Sequence, residues 1–247
     1  MHSELARTEQ LLGTKGIEKL RHSHIIVFGI GGVGGHALEV LARSGIGAIT
    51  LVDADTIELS NINRQLIALH STVGRSKVEV SAERIKDINP DCQVVAIKQF
   101  YLPENADSID LSQYDYVVDC IDTVAAKVEL IRRCTSADKP IISSMGAGNK
   151  MNPTMLKVSD IYKTSVDPLA KVIRKKCKEL KIKRLKVVYS TESPCPASNP
   201  YNLPSGKSPI SSNAFVPAAM GIIIGSEVVK DICSREEKPR SGLIHNA

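Results

Sequence analysis

Between His24 and Ser44 the chain has little conformational choice. His24 to Gly29 (HIIVFG) is a short apolar, β-rich run, glycines follow at once, and His36 to Ser44 has helical composition. Gly29-Ile30-Gly31-Gly32-Val33-Gly34 fits G-x-G-x-x-G between them. Glycine lets the backbone approach phosphate oxygens, and the first turn of the next helix offers unpaired N–H groups to an anion. Asp53, nineteen residues past Gly34 at the end of the apolar run Ala48 to Val52, brings a carboxylate that can accept hydrogen bonds from ribose hydroxyls. Alone, this is a nucleotide site, and a dinucleotide oxidoreductase is its commoner owner. Glycines that serve only a tight turn are the plainer reading, against which their placement argues.

The same alternation continues. Further apolar runs, Gln93 to Ile97, Tyr114 to Val118 and Pro140 to Ser143, are separated by helical stretches such as the amphipathic Ser76 to Ile88. The expected fold class is α/β: Rossmann-like, a mostly parallel sheet with helices on both faces and an elaborated C-terminal part. The 247 residues suit a single domain, with 1–150 as nucleotide-binding core and 151–247 as substrate-binding and C-terminal extension. In the extension we read a strand at Thr154 to Val158, a basic stretch, a Pro- and Ser-rich loop from Thr191 to Ser212, and a buried helix from Ala214 to Val229. That last run is interrupted by Ser226 and Glu227 and is too short to cross a bilayer.

Ligands of such sheets bind beyond the carboxyl ends of the strands. After the second strand stand Asp55, Asn61, Asn63, Arg64, Gln65 and Lys77. Hydride transfer has little use for two cations and several amides beside a ribose-binding acid. Cleavage between the α- and β-phosphates of ATP needs them, because the transition state and departing pyrophosphate gather negative charge. Arg64 offers a planar fork and Lys77 a point charge. Asp119 and Asp122 end the fourth strand, where a carboxylate can hold Mg2+ that bridges phosphates. The plainer reading of Asp122 is a helix N-cap.

Composition narrows the remaining classes. The N-terminal residues lack a secretory apolar stretch, so cytoplasmic residence, away from membranes, is expected. Cysteines 92, 120, 134, 177, 195 and 233 include no pair two residues apart, which argues against a zinc cage, and reduced thiols are expected. Net charge is +5, yet Lys171 to Lys186 holds nine cations against Glu179 alone. Helical spacing would put Arg174, Lys178 and Lys181 on one face with Lys175 adjoining, a density of charge that needs an explanation beyond solubility. A solvated helix face is the alternative.

The series GIGGVG, VDAD, NINRQ, Lys77 and DCID resembles the adenylating superfamily of ubiquitin-activating enzymes and the bacterial molybdopterin- and thiamine-pathway activators, over roughly the first 150 residues. The resemblance implies that Gly29, Gly31, Gly32, Gly34, Asp53 and Asp55 hold ATP, with Asn61 and Gln65 lining the site. It implies Arg64, Lys77 and Asp122 as catalytic residues, Asp122 through Mg2+. Within the superfamily, ARSGIGAITLVDAD, INRQLIALHSTVG, AERIKDINP, SVDPLAKVIRKK and VVYSTE resemble the family of tRNA threonylcarbamoyladenosine dehydratases across most of the chain. That family implies ATP-dependent adenylation of the threonyl carboxylate, ring closure with net loss of water, tRNA carrying threonylcarbamoyladenosine as a partner drawn to Arg174, Lys175, Lys178 and Lys181, a homodimer, and a sulfur-transfer or redox protein partner.

Some details depart from the pattern. Superfamily dimers often supply an arginine from the N-terminal segment, where this chain has Arg7. A cysteine of some relatives is replaced by Ser211 or Ser212, which leaves Cys195 as the loop's thiol and weakens a covalent role. No aromatic interleaves the basic stretch before Tyr189, so base stacking is not expected from it. Other functions compatible with parts of the pattern are an activator of a ubiquitin-like sulfur-carrier protein, an NAD-linked oxidoreductase and a non-catalytic scaffold.

Overall fold

The computed structural model describes residues 3–195 and 210–234. Its elements run α1 (Ala6–Arg21), β1 (His24–Phe28), α2 (Gly34–Arg43), β2 (Ala48–Val52), α3 (Lys77–Ile88), β3 (Gln93–Ile97), β4 (Tyr116–Asp119) and α4 (Val124–Ser136). There follow β5 (Ile141–Ser144), β6 (Leu156–Asp160), α5 (Pro168–Glu179), β7 (Lys186–Ser190) and α6 (Val216–Ser234). One seven-stranded sheet has the order β3-β2-β1-β4-β5-β7-β6. All pairings are parallel except β6 with β7.

The order reverses between β1 and β4, and that switch point opens a crevice at the carboxyl ends of the two strands. The central strands are continuous apolar runs because helices cover both faces: Ile25, Ile26, Val27 and Phe28 of β1 are all fully buried. At the edge, β3 keeps Val95 half-exposed. Among the described residues no helix is long and apolar enough to cross a membrane.

Helix α6 clamps α2, the helix that follows the glycine loop. A Cβ at Gly221 would lie 2.2 Å from the Val33 carbonyl oxygen and one at Gly225 2.6 Å from Val40 Cβ, so two glycines one turn apart let the helices touch backbone to backbone. The apolar run expected as a buried helix is therefore a helix, extended to Ser234. Strand β7 emerges from the end of the basic stretch, where charges mask a three-residue apolar core, Val187 to Tyr189. Most of the Pro- and Ser-rich segment, residues 196–209, lies outside the described residues.

Candidate active site

The glycine turn is shaped by close approach. Gly29 has φ of +84°, and a Cβ there would stand 2.5 Å from the Cys120 carbonyl oxygen; at Gly34 it would stand 1.8 Å from the Gly29 oxygen. These two glycines let the loop close onto β4. Gly31 is the open side of the cradle, with only Gln65 Nε2 within reach among the described residues, 3.9 Å from an added Cβ, whereas Gly32 is packed against Pro217 and Arg64 Cγ at 3.2 and 3.4 Å. Asp53 pins this loop, its Oδ2 accepting from Ile30 N–H at 2.6 Å and its Oδ1 from Asp55 N–H at 2.8 Å. Each carboxylate oxygen keeps further acceptor capacity for a hydroxyl.

The segment after β2 brings its polar residues to this cradle. Asn61 is buried, and its Oδ1 accepts from Glu58 N–H at 3.2 Å, so its first duty is to close a short 3-10 turn. Arg64 donates through Nη1 to the Ser60 carbonyl at 3.1 Å and to Asn63 Oδ1 at 2.9 Å. Its Nε and Nη2 protons remain for an anion. Gln65 is 6% exposed, and its Oε1 is buried with no partner among the described residues. A buried acceptor left unpaired is costly, so Oε1 has capacity to accept from a bound donor, while Nε2 of the same amide faces Gly31.

Lys77, the point charge of the sequence reading, is 5% exposed at the start of α3, and its Nζ donates to Asp55 Oδ2 at 2.6 Å. The folded α3 start and the Ile57–Arg75 backbone bond carry its stem inward, where Asp55 meets the ammonium. Asp55 is itself half-exposed, so the pair opens onto the crevice.

The two aspartates after β4 part company. Asp119 is fully buried, and its Oδ2 accepts from Lys127 Nζ at 2.7 Å and from Ser143 Oγ at 2.5 Å. It ties α4 and β5 to β4 and has no approach for a metal. Asp122 is exposed, and among the described residues its partner is the Thr123 hydroxyl at 3.4 Å. It is not the N-cap of α4: Thr123 holds that position, without a side-chain capping bond. No cluster of three or more metal-ligating side chains exists among the described residues. A single carboxylate still fits Mg2+, which dehydrates reluctantly and is held by one or two carboxylates plus substrate phosphates.

Sequence reasoning missed two buried ion pairs near these strand ends. Lys127–Asp119 is one; the other is Lys150–Asp167 at 3.0 Å, in which Asp167 also caps α5 through Ala170 N–H at 2.8 Å. No local pattern announces them, because each pair joins separate elements. The buried thiols are inert: burial pushes Cys92 and Cys177 up to about 11 and Cys134 up to about 12, so they stay protonated. Cys195 Sγ lies 3.7 Å from Glu192 Oε1, and Ser211 gives its N–H to Asn149 Oδ1.

The basic stretch is split by the structure. Helix α5 ends at Glu179, and Lys181 sits beyond it with φ of +56°, so Lys181 does not share a helical face with Arg174 and Lys178. The turn forms because Lys181 N–H and Ile182 N–H close back on the Lys178 and Cys177 carbonyls. Arg174 is half-buried and donates to the Thr164 carbonyl and hydroxyl at 2.9 and 2.5 Å. Lys175, Lys178 and Lys181 are exposed.

The structure thus gathers Gly29 to Gly34, Asp53, Arg64 and Gln65 in one crevice, with Lys77 joined through Asp55 and Asp122 on the loop that Gly29 and Gly34 touch. This defines a nucleotide-binding α/β protein with cations beside its glycine loop. The chain belongs to the ThiF family, whose model matches residues 3–247. It is 44% identical to a tRNA threonylcarbamoyladenosine dehydratase of Bacillus subtilis over 94% of this chain and 95% of that protein. Among solved structures it is similar to Escherichia coli tRNA N6-threonylcarbamoyladenosine dehydratase in complex with AMP (37% identity, TM-score 0.83, 92% of each chain covered). The complex of that protein with ATP matches at 37% identity, TM-score 0.81, with 93% of each chain covered.

Proposed function

We infer that this chain is an ATP-dependent tRNA threonylcarbamoyladenosine dehydratase. The observation that carries the reading is the cradle itself: an open Gly31, a Gly32 packed against Arg64, and a buried Gln65 Oε1 without a partner among the described residues, in a chain that resembles the dehydratases along nearly its whole length. The threonyl carboxylate oxygen attacks the α-phosphorus of ATP, and pyrophosphate leaves. An atom of the carbamoyl group then attacks the acyl carbon, the ring closes, and AMP leaves with the oxygen that would otherwise have departed as hydroxide. AMP is the far better leaving group, which is the physical reason for adenylation.

In that sequence the residues divide the work. The N–H groups of the cradle and the α2 N-terminus receive phosphate oxygens. Asp53 takes ribose hydroxyls while holding the loop. Arg64 spends Nη1 on its own segment and turns its other donors to the phosphates, and Lys77, released in part from Asp55, adds a second charge. Asn61 fixes the turn that aims Arg64. Asp122 is the residue that would hold Mg2+, which when bound neutralises charge on the phosphates.

The tRNA lies over exposed cations of the α5 region, Lys175, Lys178 and Lys181, with Arg174 serving as their structural anchor. A homodimer is the working assembly, Arg7 being the candidate to cross it, and a tRNA-modifying role places the enzyme in the cytoplasm. The deciding experiment is mass spectrometry of nucleosides from threonylcarbamoyladenosine-bearing tRNA incubated with enzyme and ATP. A product lighter by one water supports the assignment. Pyrophosphate exchange that depends on a small carrier protein and not on modified tRNA would replace it with carrier activation.

A further inference from the structure

Beside the glycine cradle stands an apolar shelf that chemistry on ATP leaves unused. Phe215, Met151 and Ile210 are 42%, 60% and 78% exposed. Single apolar side chains on a surface need no explanation. These three are different because hydrogen bonds lock their backbones together. Asn213 Nδ2 donates to the Lys150 carbonyl at 2.7 Å and lies 3.7 Å from Met151 Sδ, while its Oδ1 accepts from Phe215 and Val216 N–H at 3.2 and 3.0 Å and so caps α6. Asn149 and Ser211 exchange two further bonds, at 2.8 and 2.7 Å. A Cβ on Gly148 would stand 2.1 Å from Ile210 Cγ2, so glycine there is what lets Ile210 lie across the shelf.

The shelf is continuous with the adenylation crevice. Asn63, which holds Arg64, donates through Nδ2 to the Ser212 carbonyl at 3.1 Å, and Pro217, two residues after Phe215, abuts Gly32. An enzyme that reacts a group on a base within an RNA loop must hold that base out of its stack, and splayed bases are held on aromatic faces. Few residues here can offer one. Aromatics make up 4% of the chain, Trp is absent, and Tyr189 behind the basic stretch is 4% exposed. The other exposed Phe, Phe100, follows edge strand β3, on the far side of the sheet from β5 and β7.

We propose that Phe215, with Met151 on the segment that Asn213 ties to it, is the platform on which the modified adenine of the tRNA stacks, which aims its threonylcarbamoyl group at the cradle; this rests on the dehydratase reading above. The polarizable thioether of Met151 suits contact with a ring edge. The rigid backbone under the platform lowers the ordering cost of binding.

The test uses the absence of Trp from the chain. Phe215→Trp installs a sole Trp whose emission is quenched by a stacked base. Quenching by threonylcarbamoyladenosine-bearing tRNA, without ATP, and none by ATP alone is the expected result. In parallel, Phe215→Ala raises KM for tRNA by roughly tenfold to a hundredfold. Phe215→Leu fails to restore it and Phe215→Tyr restores it, while KM for ATP and the unfolding midpoint stay at wild-type values. An unaltered tRNA KM in Phe215→Ala overturns the proposal. So does quenching by ATP alone, which would seat the nucleotide's own adenine there, or an emission shift that follows protein concentration, which would make the shelf a contact between copies. If the wild-type enzyme converts no tRNA, the dehydratase reading fails and takes the platform with it; wild-type conversion with an unaltered Phe215→Ala sinks the platform alone.

Discussion

The carboxyl ends of the strands and the basic stretch around α5 both hold cations, but they are built in opposite ways. At the strand ends, charge is embedded: Lys127 and Asp119 are wholly buried, Lys77 nearly so, and glycines allow contacts that any side chain would block. Around α5, Lys175, Lys178 and Lys181 stand in solvent, with Glu179 as the helix's one acid, while the helix buries Ala170, Ile173 and Cys177. Embedded charge is preorganised and suits a transition state, where a donor in a fixed, water-poor position costs no reorganisation. Solvated charge is adjustable and suits a flexible polyanion, where affinity comes from released counterions.

The sharpest way to break this contrast is Lys127→Met, which leaves Asp119 as an uncompensated buried charge. It should destabilise the protein by about 3–5 kcal/mol, read as a lowered urea midpoint at neutral pH. A midpoint near wild type would mean that the strand ends tolerate unpaired charge and are not preorganised as described.

Next come Arg64→Ala and Lys77→Ala. Each should lower turnover about a hundredfold, corresponding to roughly 3 kcal/mol of transition-state stabilisation, with the fold intact. Asp55, half-exposed, is left to water in the second variant, so little stability goes with the lysine's charge. Near-wild-type rates with ATP in both variants would remove the adenylation assignment.

The triple reversal Lys175→Glu, Lys178→Glu and Lys181→Glu sharpens the other side. Arg174 is left alone because its bonds to Thr164 make it a structural tie. The variant should bind tRNA more weakly, and its plot of log affinity against log salt should be shallower by about 0.7 to 0.9 for each phosphate no longer neutralised. KM for ATP should not move. An unchanged slope would return α5 to a solvated helix face.

The smallest effect is expected from Cys195→Ser, whose thiol among the described residues has one weak contact, to Glu192. Turnover should stay at wild type and stability within about 0.5 kcal/mol. Normal pyrophosphate release with no closed ring would instead expose a covalent step at that thiol.

How far the chain can be read without coordinates varies with the distance over which each feature is determined. The runs Ala48 to Val52 and Gln93 to Ile97 coincide with β2 and β3, since strand periodicity and flanking turn residues are local signals. The stretch from Lys171 to Lys186 reads as one helical surface, and it is a helix, a left-handed turn and a strand. The two aspartates of DCID look alike in sequence, and one is buried against Lys127 while the other is exposed.

What the sequence determined by itself was the strand–glycine–helix unit, the acid at the end of the next strand, and the order of polar residues after it. All depend on backbone limits and side-chain types within a few tens of residues. Tertiary structure alone decided which charges are embedded and which are solvated, that Gly221 and Gly225 clamp α2, and that Asn213 ties the segment of Met151 to that of Phe215 while Pro217 abuts Gly32. Those outcomes hang on contacts between segments far apart in the chain. The energy of a charge or a ring depends on what the rest of the fold brings against it.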